Sequence, residues 1–346
     1  SKWEKPLLNY YETNPDFIYP ESRKNEVISF VKSGLKDLSV SRKSFSWGIP
    51  VPNNKNHVIY VWLDALTNYL SALNYPNIND DLFKKFWPAS IHLIGKDILR
   101  FHAVYWPAFL LAAKIDLPKR VYGHGWILSG EEKMSKSKGN ILDPLEIIKE
   151  YGLDPLRYYL IKEVSFGNDG NISQERLEDC INSDLANNYG NLCQRVTAFA
   201  IKNCDGKIPL EVKFNDEDLL ILNKYNDNLD NIRSQIDNQN INFYIDYIVN
   251  SLFEANKYFN DQEPWKKKDD KIRLNTIVYT TLEIVRKISF LLYPIIPESS
   301  LKALKIFDIE EKNIKLDSVS NNEYLTKGNN INKIDILFKK IEKNND

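Results

Sequence analysis

The sequence predicts an α/β part with a parallel sheet, followed by an all-α helix bundle. Up to about residue 128, short β-branched and aromatic runs alternate with helical patterns, which is typical of parallel α/β folds. From residue 173 to about residue 341, long amphipathic runs separated by glycine and proline breaks favour antiparallel helices. A length of 346 residues allows two or three domains.

The α/β part begins with two helical runs within residues 1–50, the second at residues 22–36, and a break at residues 50–54 follows. Strands are predicted at residues 58–62, 91–95 and 120–123, and helices at 65–73 and 97–113. Asp97 is the predicted N-cap of the second of these helices. Ligands bind at the carboxyl ends of parallel strands, so residues 62–69, 95–102 and 123–136 are candidate site segments.

In the helical part, Asp143 and Asp154 each precede a proline, which predicts an N-cap followed by proline at the first helical position. Residues 167–170 form a predicted loop and domain boundary. One helix is predicted at residues 174–202, and residues 310–332 are polar and weakly patterned.

Composition excludes several classes of protein. No run of about 18 apolar residues occurs, so no membrane span is expected. Cys180, Cys193 and Cys204 lack the spacing of a disulfide framework or a zinc site, which indicates a reducing, cytoplasmic location. The formal net charge of −1 means that any nucleic-acid surface must be local. No dimerisation segment follows Asp346, so a monomer is expected.

A loop rich in lysine and serine, Lys133-Met134-Ser135-Lys136-Ser137, carries the clearest chemical signal. Two ammonium groups and backbone N–H donors on one loop can bind a polyphosphate and stabilise its charge. Taken alone, the pattern favours a solvated basic turn.

This pentapeptide resembles the second signature of class I aminoacyl-tRNA synthetases, and residues 122–126 and 139–144 resemble its usual flanks. Residues 60–69 and 91–102 resemble the amino-acid-pocket segments of methionyl-tRNA synthetases. The family's HIGH-like first signature is absent, since residues 57–60 lack its glycine and second histidine. The resemblance is therefore to a C-terminal portion lacking the HIGH-containing N-terminal half, and this portion alone is expected to be inactive.

The resemblance implies four segments and a fold. Residues 1–50 would be the end of a connective insertion and a linker, and residues 51–128 the second half of a Rossmann-like catalytic domain. Residues 129–170 would be a KMSKS and stem-contact segment, and residues 171–346 an α-helical anticodon-binding domain.

The resemblance also implies site residues. Methionine would be bound by Trp62, Ala65, Leu66, Tyr69 and His102. ATP would be bound by Gly95, Asp97, His124, Gly125, Ile127, Lys133, Met134, Ser135 and Lys136. Lys133 and Lys136 would be catalytic, with ATP and Mg²⁺ as cofactors and zinc not expected in this chain. From the residues alone, a packed core is the favoured interpretation of Trp62, Tyr69 and His102, and Asp97 fits a simple helix cap equally well.

A polar stripe in the helical part suggests tRNA recognition. Asn187, Asn191 and Arg195 recur every four residues, and Trp265 precedes three lysines. Amide and guanidinium groups can read unstacked bases, and a tryptophan can stack on one. The resemblance assigns these four residues to anticodon binding, whereas the pattern alone favours a solvated helix face and a partly buried tryptophan.

The function implied is that of a methionine–tRNA ligase, which makes methionyl-adenylate from methionine and ATP and transfers the methionyl group to tRNA(Met). Two alternatives remain at this point. One is a class I synthetase for another apolar amino acid, and the other is a non-catalytic tRNA-binding module.

Overall fold

A computed structural model of the chain describes residues 1–129 and 142–342, together with the backbone of residues 132–133. The chain divides into two compact units. The first unit comprises residues 1–126 and 167–169, and the second comprises residues 127–166 and the chain from residue 170 onwards. Within the described ranges, no helix has both the length and the apolar character needed to cross a bilayer.

The first unit is built from five helices and six strands among its described residues. They are α1 (Glu4–Thr13), β1 (Ile18–Tyr19), α2 (Glu21–Lys32), β2 (Ser41–Arg42), β3 (Pro50–Val51), β4 (Asn54–Ile59), α3 (Val61–Ser71), α4 (Asp81–Phe86), β5 (His92–Gly95), α5 (Trp106–Ala113) and β6 (Val121–His124).

A parallel sheet forms the centre of the first unit, with strand order β1-β6-β5. Strands β5 and β6 confirm the predictions at residues 91–95 and 120–123. Val121 pairs with both Ile18 and His92 and is fully buried. The helices α1 and α2 cover the sheet with Leu7 and Val27, and this apolar layer holds the strand ends in place.

The predicted strand at residues 58–62 is wrong in its extent and its sheet. Strand β4 ends at Ile59 and lies in a separate antiparallel sheet of order β2-β4-β3. Helix α3 begins at Val61, so Trp62 lies in its first turn rather than at the end of a parallel strand. The β-branched and aromatic run fits either structure, and a left-handed turn at Asn53 (φ 64°) forms the hairpin that decides it.

The predicted helix at residues 97–113 is divided into three segments. A 3₁₀ turn (Lys96–Ile98) and a π-helical segment (Phe101–Tyr105) precede α5. Asp97 lies inside the 3₁₀ turn, whose flanking residue is Gly95, so the prediction that Asp97 is an N-cap is wrong. Its carboxylate accepts a hydrogen bond from a tryptophan side chain instead.

The second unit is mainly helical. Its described elements are β7 (Ile127–Ser129), β8 (Glu132–Lys133), α6 (Pro144–Tyr151), α7 (Leu153–Glu163), β9 (Gly170–Asn171), α8 (Gln174–Cys180), α9 (Asn191–Asn203), α10 (Asp216–Asp237), α11 (Ile241–Asp261), α12 (Lys271–Leu292) and α13 (Pro297–Leu304). The core lies around α12, in which most residues from Leu274 onwards are buried. The predicted helix bundle is confirmed.

Two helix starts in this unit test the prediction that an aspartate before a proline is an N-cap. Asp143 caps α6, because its carboxylate accepts the backbone N–H of Leu145 at 2.8 Å. Asp154 is not a cap, because α7 already begins at Leu153. The buried Asp154 carboxylate accepts the backbone N–H of Ser299 at 2.6 Å, which ties α7 to α13.

The predicted helix at residues 174–202 runs from Gln174 to Asn203, with a π-helical segment (Ile181–Gly190) between α8 and α9. Segments with this wider turn often occur at functional sites. The side chain of Ser173 caps the start by accepting the N–H of Arg176.

Polar side chains of α12 hold the weakly patterned residues 310–332. The buried Glu283 carboxylate accepts the backbone N–H of Leu325 at 2.6 Å and the side chain of Arg286 at 2.7 Å. Buried Lys287 donates to the carbonyl of Val319 at 2.5 Å and to the side chain of Asn322 at 2.8 Å. Tertiary hydrogen bonds therefore help to hold a segment whose apolar pattern is weak.

Candidate functional site

The predicted methionine-binding residues Trp62, Tyr69 and His102 lie together in the first unit. The hydroxyl of Tyr69 lies 2.9 Å from Nε2 of His102, and Nδ1 of His102 lies 3.0 Å from the carbonyl oxygen of Ile98. A carbonyl only accepts, so Nδ1 carries the proton and donates it to Ile98. In neutral His102, Nε2 is then the acceptor, and Tyr69 donates to it.

Burial keeps this histidine neutral. It lowers the pKa of His102, against the opposing effect of the Ile98 hydrogen bond. Burial, together with His102, also lowers the pKa of neighbouring His92 to about 4. The two imidazole rings are 6.1 Å apart. This environment therefore suits a neutral, apolar ligand group.

Aromatic rings surround His102. Trp62 stacks on Phe101 at 3.8 Å and presents its ring edge-on to His102 at 6.4 Å. Of the other two predicted residues, Leu66 is 1% exposed and belongs to the apolar cluster with Trp106, whereas Ala65 is exposed.

Sequence reasoning missed three neighbours of this aromatic set, namely Phe101, Trp106 and His92. Trp106 follows His102 by four residues, about one helical turn, so helical spacing could have found it. Phe101 is adjacent to His102 and has no such signal. His92 contacts the ring of Tyr69 at 4.2 Å from a different element, and no local pattern indicates it.

Three of the predicted ATP-binding residues converge at the ends of β5 and β6. A Cβ atom placed on Gly95 would lie 3.8 Å from the Asp97 carboxylate and 3.9 Å from the ring of His124. Nδ1 of His124 donates to the carbonyl of Gly125 at 2.9 Å. The strand ends thus present a carboxylate and an imidazole beside a glycine that leaves the backbone accessible.

Next to these residues lies a polar cluster that sequence reasoning missed, formed by Lys96, Trp126 and Asp169. Trp126 donates its ring N–H to Asp97 at 2.6 Å. Its place directly after His124 and Gly125, inside a segment that carries the family resemblance, was the available signal.

The remaining predicted ATP-binding residues belong to the second unit. Ile127 is 42% exposed on β7. The backbone of Lys133 pairs with Leu128 through β8. The side chain of Lys133 and the whole of Met134, Ser135 and Lys136 lie outside the described residues.

Two of the predicted anticodon-binding residues meet through a shared ring. Arg195 donates to the side-chain oxygen of Asn260 at 2.7 Å, and its guanidinium lies 5.5 Å from the ring of Phe259. Phe259 contacts the ring of Trp265 edge-on at 6.2 Å. Trp265 is 40% exposed, so one face of this patch is available to a base. Sequence reasoning missed Phe259 and Asn260.

The two asparagines flank the junction between the π-helical segment and α9. Asn187 is exposed and Asn191 is half-buried, whereas Asn188 between them is buried and accepts from Asn256 at 2.6 Å. Asn187 and Asn191 therefore lie on the accessible side of the helix, together with the half-buried Arg195.

Within the ranges that the structure describes, no three His, Cys, Asp or Glu side chains are grouped closely enough to hold a metal ion.

Comparison with known families decides the assignment. The family described as tRNA synthetases class I (M) matches residues 1–197, and the anticodon binding domain of methionyl tRNA ligase matches residues 208–346. The chain belongs to the methionyl-tRNA synthetase family. The predicted fold class, half of a Rossmann-like domain followed by an anticodon-binding helical domain, is thereby confirmed.

Individual members of the methionyl-tRNA synthetase family agree with this assignment. The methionine–tRNA ligase of Rickettsia felis is 48% identical over 99% of this chain and 67% of the relative, and that of Brucella suis is 49% identical over 89% and 60%. Mycobacterium tuberculosis methionyl-tRNA synthetase in complex with methionyl-adenylate superposes with a TM-score of 0.93 at 44% identity. That match covers 98% of this chain and 67% of the other. The chain thus spans about 60% of the length of the Brucella relative.

Proposed function

We propose that this chain supplies the methionine pocket, part of the ATP site and the tRNA-binding domain of a methionine–tRNA ligase. Such an enzyme joins methionine to ATP as methionyl-adenylate and then transfers the methionyl group to tRNA(Met). The observation that carries the proposal is the hydrogen bond from Tyr69 to neutral His102 beside Trp62, in a member of this family.

Methionine recognition rests on the neutrality of that cluster. A thioether is polarisable and packs well against aromatic rings, and it is a poor hydrogen-bond acceptor. Nε2 of His102 already accepts a hydrogen bond from Tyr69, so this polar pair is satisfied within the protein and does not require a polar group on the ligand. Trp62, Ala65, Leu66, Tyr69 and His102 are proposed to line the side-chain site.

The first step is attack of the methionine carboxylate oxygen on the α-phosphorus of ATP. The bond from this phosphorus to the bridging oxygen breaks, and pyrophosphate leaves. Gly95, Asp97, His124, Gly125 and Ile127 are proposed to bind the nucleoside. Lys133 and Lys136, with Met134 and Ser135 of the same loop, are proposed to stabilise the charge on the departing phosphates. Positioning and electrostatics suffice for this step, without a covalent enzyme intermediate.

Mg²⁺ is proposed to accompany ATP, held mainly by phosphate oxygens, whose charge it neutralises. In the second step the 3′-terminal hydroxyl of tRNA(Met) attacks the methionyl carbonyl carbon, and AMP leaves. The protein is proposed to act as a cytoplasmic monomer. The four segments bounded at residues 50, 128 and 170 are proposed as its domain organisation.

Anticodon recognition is proposed for the patch formed by Arg195, Phe259 and Trp265, with Asn187 and Asn191 beside it. Trp265 offers an exposed ring for stacking, while Arg195 is oriented by Asn260. Exposed Lys267 and Lys268 add positive charge for the phosphate backbone.

The anticodon proposal can be tested on this chain by filter binding at fixed salt. Arg195→Ala is expected to weaken binding of tRNA with the methionine anticodon CAU about tenfold and to reduce its preference over a tRNA with an altered anticodon. The matched control is Arg233→Ala, since Arg233 lies on α10 and pairs with Asp317. Equal weakening for both tRNAs would instead indicate a phosphate contact without base recognition.

Amino-acid identity is tested by activation assays. The assay uses a competent enzyme, defined as this chain alone or, if needed, this chain joined to the part of the Rickettsia felis relative outside the match. Methionine is expected to support ATP–pyrophosphate exchange, with isoleucine and leucine at least about 100-fold poorer in kcat/KM. Preference for isoleucine or leucine would show that the pocket belongs to another apolar amino acid.

A further inference from the structure

Trp126 makes the only hydrogen bond that described residues give to the side chain of Asp97. Its ring nitrogen Nε1 donates to Oδ2 of Asp97 at 2.6 Å. Within residues 1–129 and 142–342, no donor reaches the other oxygen, Oδ1. Asp97 is exposed, so Oδ1 is available to a ligand. One oxygen of this carboxylate is thus held by the protein, while the other has no protein donor among the described residues.

The indole ring is itself held in place from its face. The ammonium of Lys96 lies 4.1 Å from the centroid of the Trp126 ring. That ammonium also donates to both oxygens of Asp169 at 2.7 Å. A cation–π contact of this kind attracts the ammonium to the ring face and so stabilises the position of the ring. Lys96 therefore links the ring of Trp126 to a loop more than 40 residues further along the chain.

The backbone of Trp126 is fixed by the same carboxylate. Oδ1 of Asp169 accepts the Trp126 backbone N–H at 2.8 Å. The hydrogen bond from Lys96, reinforced by that backbone N–H, lowers the pKa of Asp169 and keeps it ionised. The ion pair between Lys96 and Asp169 thus links the ring and the backbone of Trp126 to the loop that carries Asp169.

Close packing leaves this arrangement little freedom. A Cβ atom on Gly125 would lie 2.2 Å from the backbone of Asn168, so only glycine fits at residue 125. Gly167, in a left-handed conformation (φ 98°), brings the loop so close to Tyr122 that a Cβ atom there would lie 2.8 Å from its hydroxyl. The backbone next to Trp126 therefore cannot move closer to the loop at residues 167–169 without a steric clash.

We propose that Trp126 is a positioning residue that orients Asp97 toward the ribose hydroxyls of ATP. This inference rests on the proposed role of Asp97 in nucleoside binding. A carboxylate with one oxygen tied by a charge-assisted hydrogen bond presents the other oxygen in a defined direction. A pre-oriented acceptor discriminates a ribose from a deoxyribose, because the missing hydroxyl leaves the acceptor unpaired.

The test is the preference of the competent enzyme for ATP over 2′-deoxyATP and 3′-deoxyATP, measured as kcat/KM in pyrophosphate exchange. Trp126→Phe keeps an aromatic ring beneath Lys96 and removes the N–H donor. We expect kcat/KM for ATP to fall about tenfold and the ratio of ATP to the poorer deoxy analogue to fall by a similar factor, with the KM for methionine unchanged. The matched control is Trp47→Phe, the same chemical change at a residue that is 88% exposed.

A second variant separates orientation from folding. Asp97→Asn is expected to lose the same preference, and Trp126→Phe added to it is expected to cause little further loss, because the two residues act as a unit. Equal losses for ATP and both deoxy analogues in Trp126→Phe, or additive losses in the double variant, would overturn the inference. If the wild type supports exchange but shows no ribose preference, the role proposed for Asp97 fails. If the wild type supports no exchange, the proposed function fails.

Discussion

Acidification should destabilise the first unit through His92. This side chain is 4% exposed, and within the described ranges neither of its ring nitrogens has a hydrogen-bond partner. Burial, reinforced by His102, lowers its pKa from 6.5 to about 4. Below pH 6.5 the unfolded chain binds a proton at this residue that the folded chain does not, so stability falls as the pH is lowered toward 4 and then levels off.

The pKa values of His92 in the unfolded and folded states determine how much stability is lost. Their difference of about 2.5 corresponds to about 3.4 kcal/mol once the pH is well below 4. At pH 5, His92 is almost fully protonated in the unfolded state and almost unprotonated in the folded state. The free energy of unfolding is therefore about 2 kcal/mol lower at pH 5 than at pH 8. His102, whose pKa burial also lowers, contributes in the same direction.

Urea unfolding followed by tryptophan fluorescence at pH 8 and pH 5 measures this loss. Six of the seven tryptophans lie within residues 1–126, so the signal reports mainly on the first unit. His92→Phe keeps a flat ring against Tyr69 but cannot bind a proton. This variant is expected to recover about 2 kcal/mol of the loss between pH 8 and pH 5.

The matched control is His57→Gln, which removes a histidine of the separate antiparallel sheet. It should retain the whole pH-dependent loss. An unchanged loss in His92→Phe would refute the reasoning, because the buried imidazole would then not be the group that resists protonation.

Three further predictions concern single side chains. Gly125→Ala places a Cβ atom 2.2 Å from the backbone of Asn168, so we expect a loss of at least about 2 kcal/mol in urea unfolding, and an unchanged midpoint would contradict this packing. Tyr69→Phe removes the donor to His102 and should raise the KM for methionine roughly tenfold in pyrophosphate exchange, with the KM for ATP unchanged. Burial lowers the pKa of Lys287 to about 7, against 10.5 when unfolded, so raising the pH from 7 to 9 should stabilise the second unit by about 2 kcal/mol. Lys287→Met should abolish this gain in thermal melts followed by circular dichroism.

Local sequence patterns predicted the strands and helices whose apolar residues are the ones that become buried. Strands β5 and β6 are apolar runs that end at glycine or just before it, and α2 carries Val27 and Val31 on its buried face. The strand predicted from Val58 to Trp62 is too long at its end, because β-branched and aromatic residues also occur in the first turn of a helix, where Val61 and Trp62 lie. Pairing with β2 and β3 ends the strand at Ile59, just before Tyr60, and this pairing has no local signal in the sequence.

The sequence predicted which segments at the strand ends form the candidate site, but not the hydrogen bonds that connect their side chains. Gly95, Asp97 and His124 meet because parallel strands bring their carboxyl ends to one edge. The contacts that fix them depend on tertiary structure. Trp126 reaches Asp97 across 29 residues, and Arg195 reaches Asn260 across 65, and neither pairing has a local signal. The π-helical segments were likewise not predicted, because a 3.6-residue period describes the regular α-helical turn and does not distinguish the wider one.

The central claim is tested most directly by methionine-dependent ATP–pyrophosphate exchange. The assay is run on this chain alone and on this chain together with the part of the Rickettsia felis relative that lies outside the match. We predict exchange only when the two are combined, with methionine as the preferred amino acid. Exchange by this chain alone would mean that ATP is held by residues other than those proposed. No exchange in either case, with both pieces folded, would contradict the ligase assignment and favour a tRNA-binding module.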